Sequence, residues 1–94
     1  MEFDLITLLS EMCHFAQVHV SDPDAWSQTI ERRHEYFQCT TFQVSCFLSQ
    51  NTVLGRDGVD CNIVLYELGE LGVKSVKQWE EIITELVGEL GGWK

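Results

Sequence analysis

Apolar residues recur at helical spacing from the start of the chain: Leu5, Leu8, Leu9, Met12 and Ala16 predict a helix from about Asp4 towards His19. Asp4 can accept backbone N–H bonds at its start. Its end is ambiguous, because Ala16, Val18 and Val20 also alternate as a strand would. Ser21-Asp22-Pro23-Asp24 then offers an N-cap acceptor at Asp22, Pro at the first helical position and an acid facing the dipole. Trp26, Ile30, Arg33 and Phe37 follow at steps of four and three, which predicts a second helix from Pro23 to about Tyr36.

The period then changes to two. Phe42, Val44, Cys46 and Leu48 alternate with Thr41, Gln43, Ser45 and Phe47 in a stretch rich in Thr, Val and Phe, the strongest strand pattern in the chain. Gly55-Arg56-Asp57-Gly58 reads as a hairpin turn, with Asp-Gly able to take positive φ. Cys61 to Leu68 contains Ile63-Val64-Leu65-Tyr66, which suits a strand buried on both faces, with a helix over 60–71 as the main rival. Leu71-Gly72-Val73 resembles a helix end with Gly at C′. Ser75 can cap a last helix whose stripe is Val76, Trp79, Ile82, Ile83, Leu86 and Leu90, running to about Glu89. The order helix, helix, strand, strand, helix predicts an α+β domain with helices packed on a short antiparallel sheet. A third strand from residues 15–20 would support the sheet, and an all-α bundle is the alternative.

Ninety-four residues, 45% of them apolar, fit a single domain over residues 1–94. Neither repeats nor Gly-rich linkers divide it. Five Phe, three Trp and two Tyr argue against disorder. The N-terminus, Met1-Glu2-Phe3-Asp4, is acidic where a signal peptide would be basic. No apolar run reaches the roughly 20 residues that span a bilayer. A soluble cytoplasmic protein is therefore expected, with reduced thiols at Cys13, Cys39, Cys46 and Cys61.

Charge changes the picture most. Fifteen carboxylates against six Lys and Arg give a formal charge of −9, beyond the roughly 2–8 units that suit solubility in a small domain. Seven acids fall in residues 1–35 and seven in 60–94, whereas Tyr36 to Val59 carries only Arg56 and Asp57. The pattern suggests a neutral, buried middle between two acidic segments. Such a surface repels phosphate and anionic membranes and attracts basic surfaces.

The sharpest candidate site is Glu81, Glu85 and Glu89 on the last helix. At i, i+4 and i+8 they form one column with steps of about 6 Å, joined by neighbouring Glu80 and by Glu70 upstream. Like charges at this spacing cost roughly 0.2–0.5 kcal/mol per pair, and acids near a helix C-terminus oppose the dipole by about 0.3–1 kcal/mol each. Contact with a basic groove that normally holds phosphates would explain such penalties. A solvated face, partly relieved by Lys77, is the competing explanation. Trp93, behind Gly91-Gly92, either folds back as a lid or anchors a partner. Phe47, on the polar face of the first strand, is a second candidate apolar contact.

The chemistry of a catalytic or metal site is weak here. The cysteines show no C-x-x-C and the histidines no H-x-x-x-H, so neither metal nor cofactor is expected. In the proposed hairpin Cys46 would lie opposite Glu67 and not Cys61, which argues against a bond between those thiols. Neither G-x-S-x-G nor a phosphate-cradling glycine loop is present, and no enzyme activity is expected. Direct nucleic-acid binding is disfavoured by the scarcity of cationic residues.

In size and charge balance the chain is similar to phage anti-CRISPR and anti-restriction proteins and to toxin immunity proteins. That class resemblance implies a small acidic inhibitor, acting in phage defence or toxin neutralisation by masking a basic, nucleic-acid-handling partner, in some cases as a nucleic-acid mimic. A structural or adaptor module docking through helix faces is the second expectation, and a homodimer stays open.

Overall fold

The computed structural model describes residues 4–21, 23–53 and 60–94, with the side chains of 16–33 outside the described set. Among the described residues four helices make up the architecture: α1 (Leu5–Ser21), α2 (Pro23–Asn51), α3 (Cys61–Glu70) and α4 (Val76–Glu89). The expected sheet is not formed. Among the described residues the only β pairing is an isolated antiparallel bridge between Thr52 and Trp93, and the chain takes up the all-helical alternative.

The first helix begins as its sequence suggests, with the Thr7 N–H donating to Asp4 Oδ1 at 2.7 Å. It continues through residues 15–20 to Ser21, so the third-strand option fails there. Pro23 opens α2. The expected cap at Asp22 and the expected turn at 55–58 lie outside the described residues, as does the Trp26 side chain.

The main correction concerns residues 37–51. The second helix does not stop at Tyr36 but runs 29 residues to Asn51, straight through the expected strand. Its inward positions are Phe37, Thr40, Thr41, Val44 and Leu48, at steps of three and four. Alternation over Phe42, Val44, Cys46 and Leu48 was coincidental: Val44 and Leu48 are buried, Cys46 is half-buried and Phe42 is 57% exposed. Two threonines sit at buried helical positions, where a hydroxyl without a partner would be costly. Each solves this locally. Thr40 Oγ1 donates to the Tyr36 carbonyl at 3.0 Å and Thr41 Oγ1 to the Phe37 carbonyl at 2.7 Å. Such bonds to the i−4 carbonyl let Thr serve in a helix interior despite its strand preference. Thr52, also buried, repeats the device on the Leu48 carbonyl.

The second expected strand is α3. Asp60 is its N-cap, in extended conformation, and its carboxylate accepts from the N–H groups of Asn62 and Ile63 at 3.0 and 3.4 Å. Only Cys61 and Leu65, one turn apart, are fully buried, while Ile63 is 56% exposed. The hairpin register that set Cys46 opposite Glu67 therefore does not exist. Helix α3 ends as expected, with Gly72 at φ +83° and its N–H bonded to the Gly69 carbonyl at 3.0 Å.

Helix α4 matches its sequence pattern. Ser75 caps it by accepting from the Gln78 N–H at 3.1 Å, and Trp79, Ile83, Leu86 and Val87 are buried. Its C-terminus is a complete Schellman turn. The Gly92 N–H reaches the Val87 carbonyl at 2.8 Å and the Gly91 N–H the Gly88 carbonyl at 3.3 Å, with Gly91 at φ +105°.

One core joins the helices: Leu8, Leu9, Met12 and Phe15 of α1 meet Phe37, Val44 and Leu48 of α2, with Leu65 of α3 and Trp79 and Ile83 of α4. Helix α1 packs against α2 and α4, and α2 also carries α3. At 1.5 Å per residue α2 is about 43 Å long, which accounts for the 42 Å long axis of the molecule. Where α3 crosses α2 the fit is close. The Phe37 ring, stacked on Phe15 at a centroid distance of 4.6 Å, lies directly against the Gly69 backbone. A Cβ at position 69 would overlap that ring, so only glycine allows this approach.

Candidate functional site

The acidic column follows from the two-faced build of α4. Burial of Trp79, Ile83, Leu86 and Val87 turns Glu80, Glu81, Glu85 and Glu89 outward, and all four are exposed. Thr84 lies among them and donates its hydroxyl to the Glu80 carbonyl at 2.7 Å. The face is thus a dense negative strip on a well-capped, rigidly docked helix. Trp79 is fully buried, and among the described residues its indole Nε1 has no hydrogen-bond partner.

Glu70 belongs elsewhere. It lies exposed at the end of α3, with its carboxylate near enough to the Tyr66 phenol to act on it electrostatically. Burial foremost, and then the Glu70 carboxylate, push the Tyr66 phenol above its usual range. The Tyr66 hydroxyl also lies 2.8 Å from His34 Nε2, tying α3 to α2. The Tyr66 ring approaches Phe37 at a centroid distance of 5.8 Å. Glu70 is thereby part of the α2–α3 joint, on a different helix from the other four acids.

Phe47 and Trp93, chosen from sequence for separate reasons, are brought together. Their ring centroids lie 6.5 Å apart, edge to face. The Schellman turn sends residues 92–94 back along the end of α2. There the Val53 N–H donates to the Gly92 carbonyl at 2.9 Å and the Lys94 N–H to the Asn51 carbonyl at 2.8 Å. Trp93 therefore folds back and yet stays 49% exposed, while Phe47 is half-buried on the helix and not on a strand. Val53, 50% exposed, borders the same turn at Gly91.

The sequence pattern does not mark Tyr36, Phe42 and Val53 as exposed, because an uncharged stretch reads as interior. Its inward positions are buried, but its outer face is open, with Cys39 and Phe42 exposed. A helical reading of 37–51 would have separated the two faces.

The four cysteines are free thiols. Burial raises the Cys13 thiol above its ordinary range, and burial followed by the neighbouring Asp60 carboxylate raises Cys61. Neither is suited to nucleophilic work at neutral pH, which needs a lowered thiol pKa. Among the described residues no group of three or more His, Cys, Asp or Glu is placed to hold a metal ion. No described helix is long and apolar enough to cross a membrane.

Comparison with protein-family models, with curated proteins and with solved structures finds no match to this chain.

Proposed function

We propose that the chain is a small acidic binding protein that masks a basic, nucleic-acid-handling partner through the outer face of α4, occupying Lys and Arg that otherwise hold phosphates. One observation carries this reading: Glu80, Glu81, Glu85 and Glu89 are all exposed on one helix, in a chain of charge −9. Repulsion and the unfavourable dipole at the helix end cost roughly 0.2–1 kcal/mol per contact. A basic partner returns that cost, speeds encounter by long-range attraction and sets orientation. The resemblance in size and charge to anti-CRISPR, anti-restriction and immunity proteins gives the same direction.

The test is capture of partners from the native host on the wild-type protein and on a Glu81→Lys/Glu85→Lys variant, with elution by a salt gradient. The expected outcome is a basic nucleic-acid-binding protein released by moderate salt, displaced by added nucleic acid, and bound at least about tenfold more weakly by the variant. Equal retention by both proteins would sink the proposal. A structural or adaptor module docking through apolar surface is the second reading, and exposed Phe42, Val53 and Trp93 favour it. Salt-resistant binding unaffected by the two reversals is its signature.

A further inference from the structure

Residues 36–53 contain no Asp, Glu, Lys, Arg or His, an unbroken neutral run in a strongly acidic chain. Helix α2 buries one side of this run, with Phe37, Val44 and Leu48 in the core. Its outer side carries Cys39, Phe42, Gln43 and Cys46 at steps of three and four, then Gln50 one turn further on, with Val53 just past the helix end at Asn51. Phe42 is 57% and Val53 50% exposed, Cys39 is exposed, and Gln43 and Cys46 are half-buried. From the charge distribution and this face we infer that α2 is a self-association surface, on which two copies of the chain pair about a two-fold axis near Phe42.

Charge selects the occupant. A basic partner gains little from a face whose one carboxylate on this stripe of α2, Glu35, stands at its N-terminal end a turn before Cys39, and is drawn instead to α4. Two copies of charge −9 repel, and the repulsion is least where the apposed surfaces are neutral. The polar groups agree with this choice. Carboxylates cannot pair with their own kind, whereas the amides of Gln43 and Gln50 both donate and accept, so identical side chains can bond across a two-fold. Phe42 supplies the apolar centre. From Cys39 to Gln50 the strip is about 16 Å long, short for an obligate interface, so the dimer is weak and concentration-dependent.

Sedimentation equilibrium of the full chain from 5 to 1,000 μM, in 50 and 500 mM NaCl under reducing conditions, tests the proposal. The expected mass rises from 10.8 kDa towards twice that value, with a Kd below about 500 μM at high salt. Salt should tighten the dimer severalfold by screening repulsion between copies, opposite to its effect on a basic partner. Phe42→Glu, at an exposed site and with an unchanged helical circular-dichroism spectrum as the control, should weaken it more than tenfold. A short bismaleimide should trap the wild-type dimer through Cys39 or Cys46 and fail with Cys39→Ser/Cys46→Ser. A monomer at all concentrations would assign the face to a partner of different sequence and overturn the proposal. A dimer indifferent to Phe42→Glu, or one that loosens with salt, would overturn it equally. Neither result bears on the α4 reading, whose residues are untouched.

Discussion

Replacing Gly69 with Ala probes the closest approach in the fold. In an isolated helix the change would stabilise by roughly 0.5–1 kcal/mol, because alanine loses less backbone freedom. Here the added methyl would stand 2.5 Å from Phe37 Cε1 and 2.8 Å from Cε2, and closer still to Cζ. Carbon atoms pack at about 3.5–4.0 Å, so the ring must retreat by more than about 1 Å. It has no room to do so, being 1% exposed and stacked on Phe15, itself 8% exposed. Overpacking of this kind costs about 1–3 kcal/mol, which outweighs the helical gain and leaves a net loss of about 1–2 kcal/mol. Urea denaturation followed by far-UV circular dichroism reads that loss as a lower midpoint at unchanged slope. The partner variant Phe37→Leu removes the ring edge and loses buried area on its own. In the Gly69→Ala background it should cost less than in the wild type, with a coupling of about 0.5–3 kcal/mol. A Gly69→Ala protein as stable as the wild type, or two strictly additive changes, would refute the packing argument.

Two further outcomes follow from the same geometry. Trp93→Ala should lower stability by about 1–2 kcal/mol, since half of a ring that buries 150–250 Å² when fully enclosed is covered here. A urea midpoint unmoved by the change would mean that the ring contributes nothing to holding residues 92–94 on α2. Alkaline pH should weaken the fold, because burial first of all raises the Cys13 and Cys61 thiols and the Tyr66 phenol. The folded state then keeps protons that the unfolded chain has lost. This stabilisation is complete below the unfolded pKa values, about 8.5 for thiols and 10 for phenols, and disappears as pH rises through the folded ones. The urea midpoint should be flat from pH 7 to 8 and fall above about 8.5, and a level profile to pH 10.5 would contradict the burial of these groups.

How much of this was legible in the sequence depended on whether local and tertiary preferences agreed. At α4 they did: the Ser75 cap, the Trp79-to-Leu90 stripe and the column of acids all point one way, and the structure has each in place. Pro23 and Gly72 also marked real boundaries. At residues 41–48 they conflicted. β-Branched and aromatic residues favour a strand, but the buried set Phe37, Thr40, Thr41, Val44 and Leu48 has helical period, and packing overrode propensity. The threonines hid that period, since Thr at an inward position reads as polar until its bond to the i−4 carbonyl is known. The start of α3 is encoded in Asp60, a cap acceptor whose signal is weaker than that of the strand-like apolar run behind it. Of the candidate site, the outward turn of the four α4 carboxylates was visible in their spacing. The meeting of Phe47 with Trp93 was not, because it depends on the Schellman turn at Gly91 and Gly92 aligning with the far end of α2.

That turn has a topological consequence. By joining Gly92–Lys94 to Asn51–Val53, it closes a ring of about forty residues that contains α3, α4 and their connections. The entropy of closing a flexible ring grows only as the logarithm of its length, about 0.6 kcal/mol per doubling. Ten residues added between α2 and α3 would therefore cost only about 0.2 kcal/mol through ring closure. As far as closure entropy goes, new length between α2 and α3, in evolution or by engineering, leaves the pairing of Gly92–Lys94 with Asn51–Val53 almost undisturbed.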